Sequence, residues 1–226
     1  MKKFIATCMG LMLTAPVMAD ESKITKGLKT YDAMGCMLLQ ECTDGVKKIN
    51  TMLDLSTEYE DPERYTAVAQ EFNKMVDALA AVGSNVYLAD DKYFPIGHRG
   101  VYHTVSNHMY LNKAFMSRPH TVMSVVRHEG WHAAQDCMAG TIKNNMIAII
   151  MDEEKVPQIW QDIASDTYAA TPSAIPWEKE AFWAGKTEWM TQAALEACAA
   201  GDMWEIYEPT PMTREWLELN GFITGD

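Results

Sequence analysis

Basic residues are scarce in this chain: 19 Lys and Arg stand against 31 Asp and Glu, for a formal net charge of −12. No Lys or Arg cluster is available to neutralise a run of phosphates, which argues against a nucleic-acid partner. The same acidity disfavours anionic membrane surfaces and favours solubility. The 13 glycines are dispersed, with neither a phosphate-loop nor a dinucleotide fingerprint among them. No Cys-x-x-Cys pair occurs, so a cysteine-rich metal site is not expected. The 17 methionines are scattered, without a Met-rich metal-trafficking repeat. There is no long linker, internal repeat or low-complexity tract. An apolar fraction of 48% over 226 residues is enough for a folded core, which argues against disorder.

The one long apolar run lies at the N-terminus. Lys2 and Lys3 are followed by a mostly apolar stretch from Phe4 to Met18. Pro16 breaks it, and it is short for a membrane span. Val17-Met18-Ala19 then offers a cleavage site before Asp20. This pattern predicts a signal peptide over residues 1–19 and a single domain over 20–226, with a periplasmic or secreted destination and no membrane association after cleavage. Cys8 would leave with the leader. Cys36, Cys42, Cys137 and Cys198 remain. An even number in an oxidising compartment suggests two disulfides, and Cys36–Cys42 with Cys137–Cys198 is the favoured pairing.

Hydrophobic spacing predicts a helical region over about 30–58, with Gly45 as a possible break. A helix opens at Asp61-Pro62-Glu63 and runs to Ala81, stopped by Gly83-Ser84-Asn85. Residues 86–88 and 101–105 are strand-like, with Pro95, Gly97 and Gly100 marking turns between them. Further helices are expected over 121–138, 142–151, 157–168, 177–200 and 213–219. The fold class that follows is α+β, mostly helical with a small antiparallel sheet.

The chemistry is concentrated in Val126-Arg127-His128-Glu129-Gly130-Trp131-His132-Ala133-Ala134-Gln135, which contains His-Glu-x-x-His. Residues four apart share a helical face, so both imidazoles reach one ion. Zn(2+) takes neutral histidine nitrogens in tetrahedral geometry. Glu129, one residue past the first ligand, is placed to address a water on that ion without ligating it. Gly130 costs on the order of 1 kcal/mol against Ala within a helix, so its use suggests close approach by another element. A third ligand is needed from elsewhere. Pro176-Trp177-Glu178-Lys179-Glu180-Ala181-Phe182-Trp183-Ala184 is the best source. Its acids fall in the first turn, where the helix dipole favours them. Glu178 and Glu180 lie two apart and do not share a face, so one of them ligates.

These two segments resemble the gluzincin metallopeptidases, which pair a His-Glu-x-x-His helix with a glutamate ligand on a following helix. In several such families that glutamate lies three residues before an alanine. Glu178 stands in that relation to Ala181, and the resemblance therefore selects Glu178. Family members often carry Asp or Asn after the alanine, supporting a ligand histidine; Phe182 stands there instead, so that support comes from elsewhere or is absent. Gln135, three residues past His132, recurs in related proteins and is expected to support the site or sit in the core. By fold analogy the 101–105 strand is expected to border the cleft and pair with an extended peptide.

The implied activity is zinc-dependent hydrolysis of a peptide or protein substrate outside the cytoplasm, with Glu129 as general base. An exported zinc-binding or interaction protein without turnover is the alternative, and amide hydrolysis in the cell wall is a third reading. Tyr168 is a candidate donor to the tetrahedral intermediate, with His98, His103, His108 and His120 as others. The seven tryptophans read as core.

Overall fold

The computed structural model describes residues 31–225; the expected leader lies outside them. A four-stranded sheet is packed on one side by the long helices of the chain. Its strands are β1 (Val46–Ile49), β2 (Asn85–Ala89), β3 (Gly100–His103) and β4 (His108–Asn112), in the order β1-β2-β4-β3. β1 with β2 and β3 with β4 are antiparallel, while β2 with β4 is parallel, so the small sheet is mixed.

Side-chain alternation divides the sheet faces. Val86, Leu88, Met109, Leu111 and Tyr102 join the main core, together with α3 (Thr66–Ala81) and α4 (Pro119–Met138). Ala89 and Tyr110 face the other way, where α1 (Tyr31–Leu38) covers them with Ala33, Met34 and Met37. β4 is buried on both faces, apart from partial exposure at His108. It therefore shows no apolar–polar alternation, which is why its sequence does not announce it.

Several expected helices are different in the structure. The region 30–58 contains α1, then β1, then α2 (Met52–Ser56). Gly45 makes the break at φ +73, where a Cβ would lie 2.1 Å from Asp90 Oδ2. The apolar run 142–151 is irregular chain rather than helix. Asn145 adopts φ 61 there, and the Asn144 side chain takes Ala139 O and Met146 N. The expected 177–200 helix is two, α6 (Ile175–Ala184) and α7 (Met190–Ala200), parted by a turn in which Trp189 has φ 64. The 61–81 helix is present, its first turn a 3-10 segment over Pro62–Tyr65. α5 (Gln158–Thr167), α8 (Met203–Ile206) and α9 (Pro211–Leu219) complete the described chain.

Two disulfides occur, with the expected pairing. Cys36–Cys42 closes the end of α1, and Cys137–Cys198 ties α4 to α7. A buried ion pair also holds α4: Arg127 donates to both carboxylate oxygens of Glu71 on α3, at 2.7 and 2.5 Å. No helix of the described residues is long and apolar enough to cross a membrane.

Candidate metal centre

α4 begins at Pro119, whose fixed φ and missing N–H suit a first helical turn. It then carries His128 and His132 one turn apart on one face, their rings perpendicular with centroids 5.0 Å apart. Its opposite side is held tightly. A Cβ on Gly130 would meet Thr191 Cγ2 at 2.9 Å, and Thr191 Oγ1 donates to Arg127 O at 2.8 Å. The glycine in this helix therefore admits α7, as its helix penalty suggested.

α6 delivers Glu178 to the two imidazoles. Glu178 Oε2 stands 3.2 Å from His128 Nε2, and Oε1 stands 3.5 Å from His132 Nε2. One ligand atom from each of these three residues lies within 4.8 Å of the others. Glu178 Oε2 is buried and has no hydrogen-bond partner. A buried anionic oxygen without a well-formed hydrogen bond favours a cation, and two imidazole nitrogens with one carboxylate oxygen form a donor set suited to zinc. The residues thus fit a divalent ion. The arrangement matches the His-Glu-x-x-His helix plus downstream glutamate of a gluzincin-like site. No family model matches the chain, and no curated protein or solved structure matches it either.

Glu180 is elsewhere. It is 1% exposed, and its carboxylate accepts from Ile150 N at 3.0 Å, Met151 N at 2.9 Å and Gln135 Nε2 at 2.5 Å. Burial pushes its pKa up to about 7, against the pull of those donors. It pins the irregular 142–151 segment to α6 and takes no part in the cluster.

Both histidines are oriented from behind. His132 Nδ1 lies 2.7 Å from Gln135 Oε1, which places a proton on Nδ1 and turns Nε2 toward Glu178. At His128 the Ala181 carbonyl acts to favour the protonated ring. Phe182 packs edge-on against the His128 ring at 5.1 Å. Burial acts to lower the His128 pKa, but Glu178, Glu129 and the Ala181 carbonyl together raise it. For Glu178, burial acts upward, and His128 and His132 bring the pKa below its usual value.

Tyr168, at the end of α5, is brought to the cluster. Its ring lies 6.3 Å from Phe182 and its hydroxyl interacts with Glu178. Burial, then the Glu178 charge, raises its pKa, so it remains a donor. His98, His103, His108 and His120 stand outside the cluster.

Glu129 turns toward the sheet. Its Oε2 accepts from Tyr102 N at 2.9 Å. The Tyr102 hydroxyl donates to Asp136 Oδ2 at 2.9 Å. Asp136 is fully buried, and burial raises its pKa to about 7 against the Tyr102 bond. Neither Tyr102 nor Asp136 was legible as part of the site. The helical spacing of His128, His132 and Asp136 was the one available signal. The β3 strand ends at His103, with Thr104 and Val105 already in the turn, so the edge beside the cluster is 100–103.

Proposed function

We propose that this chain is an exported zinc-dependent peptidase, with His128, His132 and Glu178 as metal ligands and Glu129 as general base. One observation carries the reading: two imidazoles and one buried carboxylate each offer a ligand atom, and the three lie within 4.8 Å of one another. A zinc ion bound there supplies Lewis acidity that activates water and polarises a carbonyl group. Glu129 accepts a proton at its carboxylate and returns it to the leaving nitrogen. Gln135 keeps the His132 imidazole in its productive orientation, and Phe182 packs edge-on against that of His128. The Tyr168 hydroxyl donates toward the negative charge that develops on the substrate oxygen. The edge of β3 orients an extended peptide beside these groups. The two disulfides support a periplasmic or secreted destination.

The test is zinc content by elemental analysis, beside hydrolysis of an unfolded polypeptide. Near-stoichiometric zinc is expected in the parent and in Glu180→Ala, and its loss in His128→Ala and Glu178→Ala. Glu129→Gln is expected to keep zinc and lose hydrolysis. Zinc without cleavage in the parent would leave the exported zinc-binding protein as the reading. No zinc in the folded parent, even after metal is supplied, would remove both.

A further inference from the structure

β3 is one of the two outer strands of the sheet and, among the described residues, pairs only with β4. Its hydrogen-bond pattern decides which peptide groups look outward. Asn112 N donates to Arg99 O at 2.9 Å, which makes Arg99 and Asn112 a hydrogen-bonded pair. In an antiparallel ladder such pairs alternate, so Val101–Tyr110 and His103–His108 are bonded in the same way. Gly100 and Tyr102 therefore turn their amides and carbonyls away from β4. An edge of this kind is a template for another strand.

One of those outward groups is already engaged. Tyr102 N donates to Glu129 Oε2 at 2.9 Å. The approach depends on Gly100, where a Cβ would stand 2.6 Å from Val125 Cγ1 and 3.1 Å from Glu129 Cγ. It depends also on the Tyr102 hydroxyl, which anchors the strand to Asp136 on α4. The amide a paired strand would use at this register is thus the amide that restrains Glu129.

We infer that the Tyr102 amide is a shared donor: it holds Glu129 in the free protein, and a carbonyl of an extended polypeptide paired with β3 takes it over. Strand pairing then releases the Glu129 carboxylate toward the reacting atoms. What the freed carboxylate does rests on the peptidase reading; the exchange itself requires no metal. A carboxylate is a stronger acceptor than a peptide carbonyl, so one contact does not displace it. The remaining outward groups, Gly100 N–H and C=O and Tyr102 C=O, supply the rest of a ladder. The ligand class is therefore an extended chain of several residues. A compact amide that cannot pair leaves Glu129 tied to the strand.

The experiment compares the full chain with Glu129→Gln and Glu129→Ala, all chelator-treated so that no turnover occurs. The probe is oxidised insulin B chain, an unfolded polypeptide. Its affinity is expected to rise about tenfold in Glu129→Ala, the size of one charge-assisted hydrogen bond, with Glu129→Gln between the two. The Tyr102 amide proton is followed by NMR in parallel. It is expected to move upfield in Glu129→Ala, and in the parent when the probe is added. Equal affinity in all three proteins, absence of binding to any of them, or a Tyr102 resonance unmoved by the probe would overturn the exchange. Cleavage by the zinc-loaded parent without the affinity gain sinks the exchange and leaves the peptidase reading standing. An affinity gain in a chain that takes up no zinc does the reverse.

Discussion

Gln135 Oε1 lies 2.7 Å from His132 Nδ1, three residues along the same helix, and the other end of that amide donates to Glu180 and to the Trp177 carbonyl. Gln135 therefore does two things. It sets the tautomer of one proposed ligand, and it joins α4 to α6, the helix that carries another. Replacing it by Leu is expected to weaken zinc affinity by about 10- to 100-fold, the usual effect of losing such a support. Competition with a chromophoric chelator measures this directly. Unchanged affinity would mean that the Glu178 contact alone orients His132.

Glu180 separates ligation from scaffolding. Its removal in Glu180→Ala strands the Ile150 and Met151 amides, at about 1–3 kcal/mol for each buried group, and leaves Gln135 with the Trp177 carbonyl alone as acceptor. The expected result is a less stable protein that still binds zinc. Glu178→Ala is expected to lose zinc with a smaller change in stability, read from urea unfolding of chelator-treated samples.

Gly130 and Thr191 form a steric pair. Gly130→Ala gains helix propensity of about 1 kcal/mol but drives a Cβ to 2.9 Å from Thr191 Cγ2. Overpacking of this kind costs about 1–3 kcal/mol, so net destabilisation is expected. Adding Thr191→Ser removes Cγ2 while keeping the hydroxyl that donates to Arg127 O. The double variant should recover the loss. A double variant no more stable than Gly130→Ala would place the strain elsewhere.

Asp136 makes stability depend on pH. Burial raises its folded pKa from 3.8 to about 7, the Tyr102 hydroxyl opposing. Below about pH 4 the group is protonated in both folded and unfolded chains and contributes no slope. Between about pH 4 and pH 7 the folded chain keeps the proton that the unfolded chain has lost. Stability from this group therefore falls as pH rises through that window, and the loss is complete above it. Asp136→Asn retains an acceptor for Tyr102 and is expected to reduce the slope, Glu180 supplying the remainder, with a gain of the order of a few kcal/mol near neutrality. Urea midpoints across the window, on chelator-treated protein, provide the check.

The Cys137–Cys198 bond closes a long stretch of chain, 61 residues apart in sequence, between α4 and α7. Replacing both cysteines by Ala is expected to cost about 2–5 kcal/mol and to lower the melting temperature without removing zinc binding. Loss of the metal with the fold intact would show that the bond also shapes the cluster.

Local spacing along the chain is enough to place several parts of this protein. His128, Glu129 and His132 follow from a helical period and a proline start, and the disulfide pairs from cysteine number and separation. The fold class and most helix positions follow from the same kind of pattern. Choosing Glu178 over Glu180 needed a family resemblance, because two acids in one helical turn look alike until their neighbours are known. Folding in three dimensions brings Glu178 to the imidazoles and Glu180 to the amides of Ile150 and Met151. The same is true of β1, read as helix because its apolar ends are three residues apart, and of β4, which hides its alternation by burying both faces. The Tyr102 contact to Glu129 joins residues 27 apart, and the Glu71–Arg127 pair joins residues 56 apart. No periodicity records such pairs. They exist because packing removed their water, and each buried charge or donor then had to find its partner in space.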